Sequence, residues 1–403
     1  MTIITHIGDL REQARRRVPK AFFQYVENGA YQGLTLEANR RDLDAITLRQ
    51  RVMGQVAERK HGTTMLGEKV AIPVALAPTG LCGSMCADGE MKAARAAERF
   101  GVPFCLSTMS VASIEDVAAA VTKPFWFQLY LMKDRKISES LIDRAKRAGC
   151  SALVLTMDLH VEGFRYRDAI NGLGIPPKLT LANIWGIVSH PRWALPMLRA
   201  KEWTFGNLKG EVKDSADLGE LAQWVKSQFD PAFDWHSIDW VRERWGGKLI
   251  VKGILDPDDA TLAAKAGADA IVVSNHGGRQ LDSTCSTALA LPQVIEAVGS
   301  SDVEIYVDSG VRSGIDVLKF LGLGARACLA GRAYLYGLGA GGEAGVTKAL
   351  ELMRDELDVA MALTGLTDAS RVPPSVILSP APAQSQPDAA APRGPFGKDR
   401  VYE

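Results

Sequence analysis

The chain has 403 residues, 47% hydrophobic and 23% charged, the composition of an ordinary soluble globular protein with room for one large domain or two to three smaller ones. Acids and bases balance at 47 each, so there is no basic footprint of the kind nucleic acid requires. The six cysteines show no metal-ligand grouping; Cys82 and Cys86 are close but lack His or Cys partners, and they read as small core residues.

The opening "MTIITHIGDLREQARRR" lacks the apolar core of a signal peptide, which points to a reducing, cytoplasmic compartment. Residues 1–69 are expected to form a helical segment leading into the main fold, with Tyr25 and Tyr31 around a helix end. The uncharged stretch "VAIPVALAPTGLCGSMCA" is interrupted by Pro73, Pro78, Gly80 and Gly83. It therefore reads as a buried strand and a glycine-rich loop, not a membrane span.

From residue 70 onward eight short apolar runs appear: "VALAPT", "PFCLST", "PFWFQLY", "ALVLTMD", "LIVKG", "AIVVSNHGG", "EIYVDSG" and "ACLAGR". Between them lie helix-like segments such as "SIEDVAAAV" and "DPDDATLAAKAG", several opening on a capping Ser or Asp and closing on Gly. Alternation of this kind means a parallel sheet with crossover helices. Eight units predict a (β/α)₈ barrel, and no G-x-G-x-x-G follows the first strand to suggest a Rossmann domain. The barrel is expected to fill residues 1–375 as one domain, with an insertion over about 159–235 after the fourth strand and a Pro/Ala-rich tail over 376–403. The insertion mixes Trp185, Trp193 and Trp203 with Lys178, Arg192, Arg199 and Lys201 against one acid, Glu202. That suits a membrane-surface or partner-binding element, the alternatives being a lid or a subunit contact.

Polar residues recur at the C-terminal ends of the runs: Thr79, Ser107, Gln128 with Tyr130, Thr156 with Asp158, Lys252, His276, Asp308 and Arg332. In a (β/α)₈ barrel these ends converge on the face where active sites form. The last two loops, "VDSGVRSG" and "LAGRA", add glycine-rich amides plus Arg312 and Arg332, a combination suited to a phosphorylated ligand or cofactor. His276 and Arg279 flank Gly277 and Gly278, whose backbone freedom lets a base and a carboxylate fork turn toward one point. Asp158 is placed to hold the imidazole, and Arg165 supplies a second cation. These residues describe a site for a small carboxylic acid with a base over its α-carbon.

"SNHGGRQLD", "VKGILDP", "APTG", "FQLY" and "VDSGVRSG" together resemble the FMN-dependent L-2-hydroxy acid oxidase and dehydrogenase family, over about residues 10–370. Within it, "GAY", "LRQR", "PVALAP", "SHPRW" and "KGILDP" are most similar to the bacterial quinone-linked, membrane-associated L-lactate dehydrogenases. The resemblance implies His276 as catalytic base supported by Asp158, Arg279 and Arg165 on the substrate carboxylate, and Tyr25 and Tyr130 on its carboxylate or hydroxyl. It implies FMN held by Ala77, Pro78, Thr79, Ser107, Gln128, Thr156, Lys252 and Ser274 around the ring and ribityl chain. Asp308, Ser309, Gly310, Arg312, Gly331 and Arg332 would hold the phosphate end. It further implies a quinone acceptor, peripheral contact with the inner face of the cell membrane and a homotetramer. Two departures stand out: Met109 replaces the tryptophan of many oxidases, and Gly80 replaces the alanine more often found in O₂-using relatives, which leans toward a dehydrogenase. The rival readings are a soluble oxidase that makes H₂O₂, a mandelate-type dehydrogenase, and a non-redox barrel binding a phosphorylated metabolite.

Overall fold

In the computed structural model, residues 3–52, 54–172, 180–202, 204–209 and 218–379 are described. All eight apolar runs are strands: β1 (Val74–Leu76), β2 (Cys105–Ser107), β3 (Trp126–Leu129), β4 (Ala152–Thr156), β5 (Lys248–Ile254), β6 (Ala270–Val273), β7 (Glu304–Val307) and β8 (Ala327–Ala330). They pair in parallel from β2 through β8 and on to β1. A parallel bridge between Leu76 and Phe104 then joins β1 to β2 and closes the barrel. The predicted (β/α)₈ architecture is the observed one.

Side chains alternate between the barrel interior and the helical shell, as a period of two requires. Ala75, Cys105, Trp126, Val154, Ile250, Val272, Tyr306 and Leu329 form one inner cluster, in which Trp126 stacks on Tyr306 at 6.2 Å. Their neighbours, such as Leu153, Leu155 and Val251, pack outward against helices. Continuing the same alternation past each strand end carries Thr79, Ser107, Gln128, Thr156, Lys252, Ser274 and Asp308 to the open top of the barrel. The pattern that builds the core thus also aims the site.

Capping residues start the crossover helices where expected. Ser113 accepts from the Asp116 amide, and Asp134 and Asp256 cap the helices Arg135–Arg147 and Pro257–Lys265. The N-terminal segment supplies α1 (Ile7–Arg17), α2 (Lys20–Glu27) and α3 (Leu34–Ala45), and its helical part ends there. A hairpin of Thr63–Met65 and Glu68–Val70 follows and plugs the barrel floor, with Met65 fully buried against the inner cluster. Thr47–Leu48 pairs with Ile377–Ser379, so the exit of the N-terminal helices is tied to the last described residues.

Between β4 and β5 lie the helices Tyr166–Ile170, Leu181–Val188, Pro191–Met197 and Leu218–Gln228, followed by His236–Trp245, which packs on β5. Trp193 is buried, stacks on Phe22 at 5.1 Å and donates to the Ser84 carbonyl. Trp185 is instead 72% exposed. Leu181, Ile184, Trp185 and Val188 recur at helical spacing and form an exposed apolar stripe, continued by Leu195 and Leu198. Lys178, Trp203 and the tail from 380 onward lie outside the described residues.

Candidate active site

A cavity of about 820 Å³ opens at the C-terminal ends of the strands. Tyr25, Tyr130, Arg165, His276 and Arg279 line one part of it. Ala77, Pro78, Thr79, Lys252 and the loops holding Asp308, Ser309, Gly310, Arg312, Gly331 and Arg332 line the rest. Ser107, Gln128, Thr156 and Ser274 stand in the buried layer beneath, and Asp158 stands behind His276. The residues singled out in the sequence therefore converge, with one exception. Tyr31 points away and packs with Phe164 and Tyr166 on the surface.

His276 adopts φ 58°, and Gly277 and Gly278 follow at 68° and 71°, a left-handed run that swings the imidazole over the cavity. Its Nδ1 lies 2.9 Å from Asp158 Oδ1, and its Nε2 lies 3.4 Å from the Tyr130 hydroxyl. Burial alone would raise the Asp158 carboxyl. The charge of His276, their hydrogen bond and the charge of Lys252 outweigh it and hold Asp158 below its ordinary value. Burial, reinforced by Asp158, pushes the Tyr130 phenol up, so its hydroxyl stays protonated. Gln280 fixes the base of the site by donating to the carbonyls of Asp158 (2.6 Å) and Val161 (3.0 Å).

Asp158 fits because β5 carries a bulge at Gly253, with φ 102°. A Cβ there would stand 2.7 Å from Asp158 Cγ, closer than such atoms approach. Gly253→Ala is expected to displace Asp158 and cost about 1–3 kcal/mol of backbone strain. Thermal unfolding of the purified variant should show the loss, together with weakened turnover.

The two arginines differ in their partners. Arg279 donates to the Tyr25 carbonyl at 2.6 Å and to the Asn28 carbonyl at 3.0 Å, with its guanidinium 4.7 Å over the Tyr25 ring. Burial and the nearby Arg165 lower its proton affinity. Arg165 pairs with Glu162 at 2.5 Å and with Asp168 at 2.9 Å. Asp168 is a buried carboxylate whose proton affinity rises with burial, against the pull of Arg279 and Arg165. Sequence reasoning missed it, although its position three residues after Arg165 is the spacing of neighbours on a helix.

The other part of the cavity meets the demands of a planar heteroaromatic carrying a phosphate. Gln128 Oε1 accepts from Ser107 Oγ (3.0 Å), while Gln128 Nε2 and Thr156 Oγ1 are buried with no hydrogen-bond partner among the described residues. Such orphaned polar groups await a ligand's acceptors. Lys252 is 3% exposed, 2.8 Å from Ser274 Oγ and 3.1 Å from Asp308 Oδ2. Burial favours loss of its proton, but Asp308 and Asp158 outweigh burial and keep it an ammonium. Gly310, with φ 105°, and Gly331 bring backbone close to the cavity beside Arg312.

A parallel barrel with a buried ammonium, orphaned polar groups and glycine-rich loops beside Arg312 suits a phosphate-bearing cofactor. The chain matches the FMN-dependent dehydrogenase family over residues 14–379 and belongs to it. Members of that family bind FMN, which removes the non-redox barrel reading. Among solved structures it is similar to the monotopic membrane protein (S)-mandelate dehydrogenase, with 35% identity over 93% of this chain and 99% of the other and a TM-score of 0.88. A soluble mutant of the membrane-associated (S)-mandelate dehydrogenase from Pseudomonas putida matches with 35% identity, the same coverage and a TM-score of 0.78. A mandelate oxidase bound to (S)-2-phenylpropionate matches with 34% identity over 92% and 98% of the two chains, with a TM-score of 0.78. These findings place the chain among FMN-dependent 2-hydroxy acid dehydrogenases and oxidases.

Proposed function

We propose that the chain oxidises an L-2-hydroxy acid, L-lactate being the substrate favoured by its sequence motifs, to the 2-keto acid and passes the electrons to a quinone. The observation that carries the reading is the His276–Asp158 pair set beside Arg279 and Arg165 in one cavity. Bound FMN supplies the two-electron acceptor. Gln128, Thr156, Lys252 and Ser274 hold its ring, while Arg312 and the amides of the Gly310 and Gly331 loops hold its phosphate.

The substrate carboxylate binds between Arg279 and Arg165, where two planar forks fix its orientation. Tyr25 and Tyr130 contact its oxygens, Tyr130 as a donor because its phenol stays protonated. An Nδ1–H donated to Asp158 leaves the Nε2 lone pair of His276 directed at the substrate. Nε2 takes a proton from the α-carbon or from the hydroxyl, and one geometry serves both routes. Asp158 then stabilises the imidazolium, an ion pair strengthened by exclusion of water. Lys252 presents fixed positive charge at the floor.

A second reading, a mandelate-type substrate, has its own support in the mandelate enzymes above and in the apolar wall of Met109, Leu159, Val225 and Phe229. Comparing kcat/KM for L-lactate, glycolate and (S)-mandelate decides between them. Lactate preference supports the first reading, and a mandelate preference of tenfold or more replaces it. Peroxide formed in air as fast as a quinone is reduced would replace the quinone by O₂.

Peripheral membrane binding is part of this proposal. Its support is the exposed stripe of Leu181, Ile184, Trp185 and Val188, with Arg192 and Arg199 exposed nearby, and the monotopic relative. Among the described residues, no helix is long and apolar enough to cross a membrane. Replacing all four stripe residues with serine is expected to release the protein from anionic vesicles in co-sedimentation while flavin reduction by substrate is unchanged. Full retention on vesicles would sink the assignment.

A further inference from the structure

The sequence places Arg332 with the phosphate-binding groups, yet three of its five guanidinium N–H donors, one on each nitrogen, are engaged by main chain away from that corner. Nε donates to the Val26 carbonyl at 2.7 Å, Nη1 to Gly277 at 2.9 Å and Nη2 to Asn28 at 3.0 Å. All three acceptors are main chain, and two of them lie at the C-terminal end of α2, where helical carbonyls lack partners. The Asn28 carbonyl also receives Arg279 Nη1, so a buried and a partly buried cation converge on the negative end of one helix. A Cβ on Gly277 would stand 2.8 Å from Arg332 Nη1, so a side chain there would displace the guanidinium from its present position. Arg312 differs: it lines the cavity, and its only hydrogen bond from the guanidinium among the described residues goes to its neighbour Val311.

We infer that the Arg332 side chain is a positioning residue that clips the end of α2 to the catalytic loop and thereby sets where Tyr25 stands in the site. Arg312 is then the side-chain cation left for the phosphate, with Arg332 contributing its backbone amide at the start of helix Arg332–Gly341. The consequence for Tyr25 rests on the proposed hydroxy-acid site, whereas the clip itself does not.

The test separates FMN affinity from order in the segment. Arg332→Gln and Arg332→Lys are titrated as apoproteins with FMN, and amide exchange is followed at Asn28 and Ala30, whose N–H groups donate to Gln24 and Gly278. The clip predicts FMN affinity within about threefold of wild type. It predicts exchange at both amides about tenfold faster or more in Arg332→Gln, with Arg332→Lys intermediate. The hydroxy-acid KM rises in the same order. FMN affinity weakened about a hundredfold with unchanged exchange would make Arg332 a phosphate ligand and overturn the inference. Should neither variant fold, the wild-type apoprotein still decides. The clip requires Asn28 and Ala30 to be as protected without FMN as with it, and protection that appears only on adding FMN contradicts it. These exchange readouts use no hydroxy acid, so their outcome is independent of the proposed reaction.

Discussion

His276→Ala is expected to give a folded, yellow protein in which substrate bleaches the flavin about 10²–10⁴-fold more slowly, the usual worth of a positioned base. The imidazole makes its side-chain contacts with Asp158 and Tyr130, neither of which the fold requires it to hold. Alanine tolerates the left-handed φ of 58° at a cost of about 1–2 kcal/mol, so the loop should persist. Losing the base therefore removes proton transfer without emptying the cofactor site. Anaerobic stopped-flow absorbance measures the rate, and the FMN-to-protein ratio verifies that the site is intact. Bleaching within tenfold of wild type would remove His276 from its role.

Arg279→Met is expected to act on binding. Truncating one member of a buried, hydrogen-bonded charge pair costs about 2–5 kcal/mol, or about 30- to 5000-fold in kcat/KM. The loss should appear mainly as a raised KM for the hydroxy acid, because the carboxylate is held alike before and during reaction. Arg279→Lys should recover only part of it, since an ammonium lacks the planar fork. A variant whose KM is unchanged while kcat falls would instead make Arg279 part of the chemical step. Because Arg279 also holds the carbonyls of Tyr25 and Asn28, some loosening of the N-terminal segment is expected alongside.

The barrel was legible because its strands follow a simple period, and that same period carried the strand-end polar residues to one face. The catalytic loop was legible because His276, two glycines and Arg279 are contiguous. What escaped is held by contacts with no local signature. Arg332 reaches the Val26 carbonyl across 306 positions, a contact that nothing near Arg332 in the sequence announces. Asp282 accepts the amides of Gln32, Gly33 and Thr35 across some 250 residues, fastening the N-terminal segment to the same loop. The floor hairpin escaped for another reason. Three-residue strands are too short to show a period, and a helical N-terminal segment was the simpler expectation. The side chain of the substrate stayed open because Met109, Leu159, Val225 and Phe229 come from separate loops and an insertion, so their joint shape exists only in the fold.

The account stands or falls on a single anaerobic experiment: mixing the FMN-loaded enzyme with L-lactate, (S)-mandelate and their enantiomers while recording flavin absorbance. It predicts bleaching by at least one of the two named acids, none by the enantiomers, and loss of the fast phase in His276→Ala. A protein that binds FMN but is bleached by no L-2-hydroxy acid, or equally by both enantiomers, would contradict it.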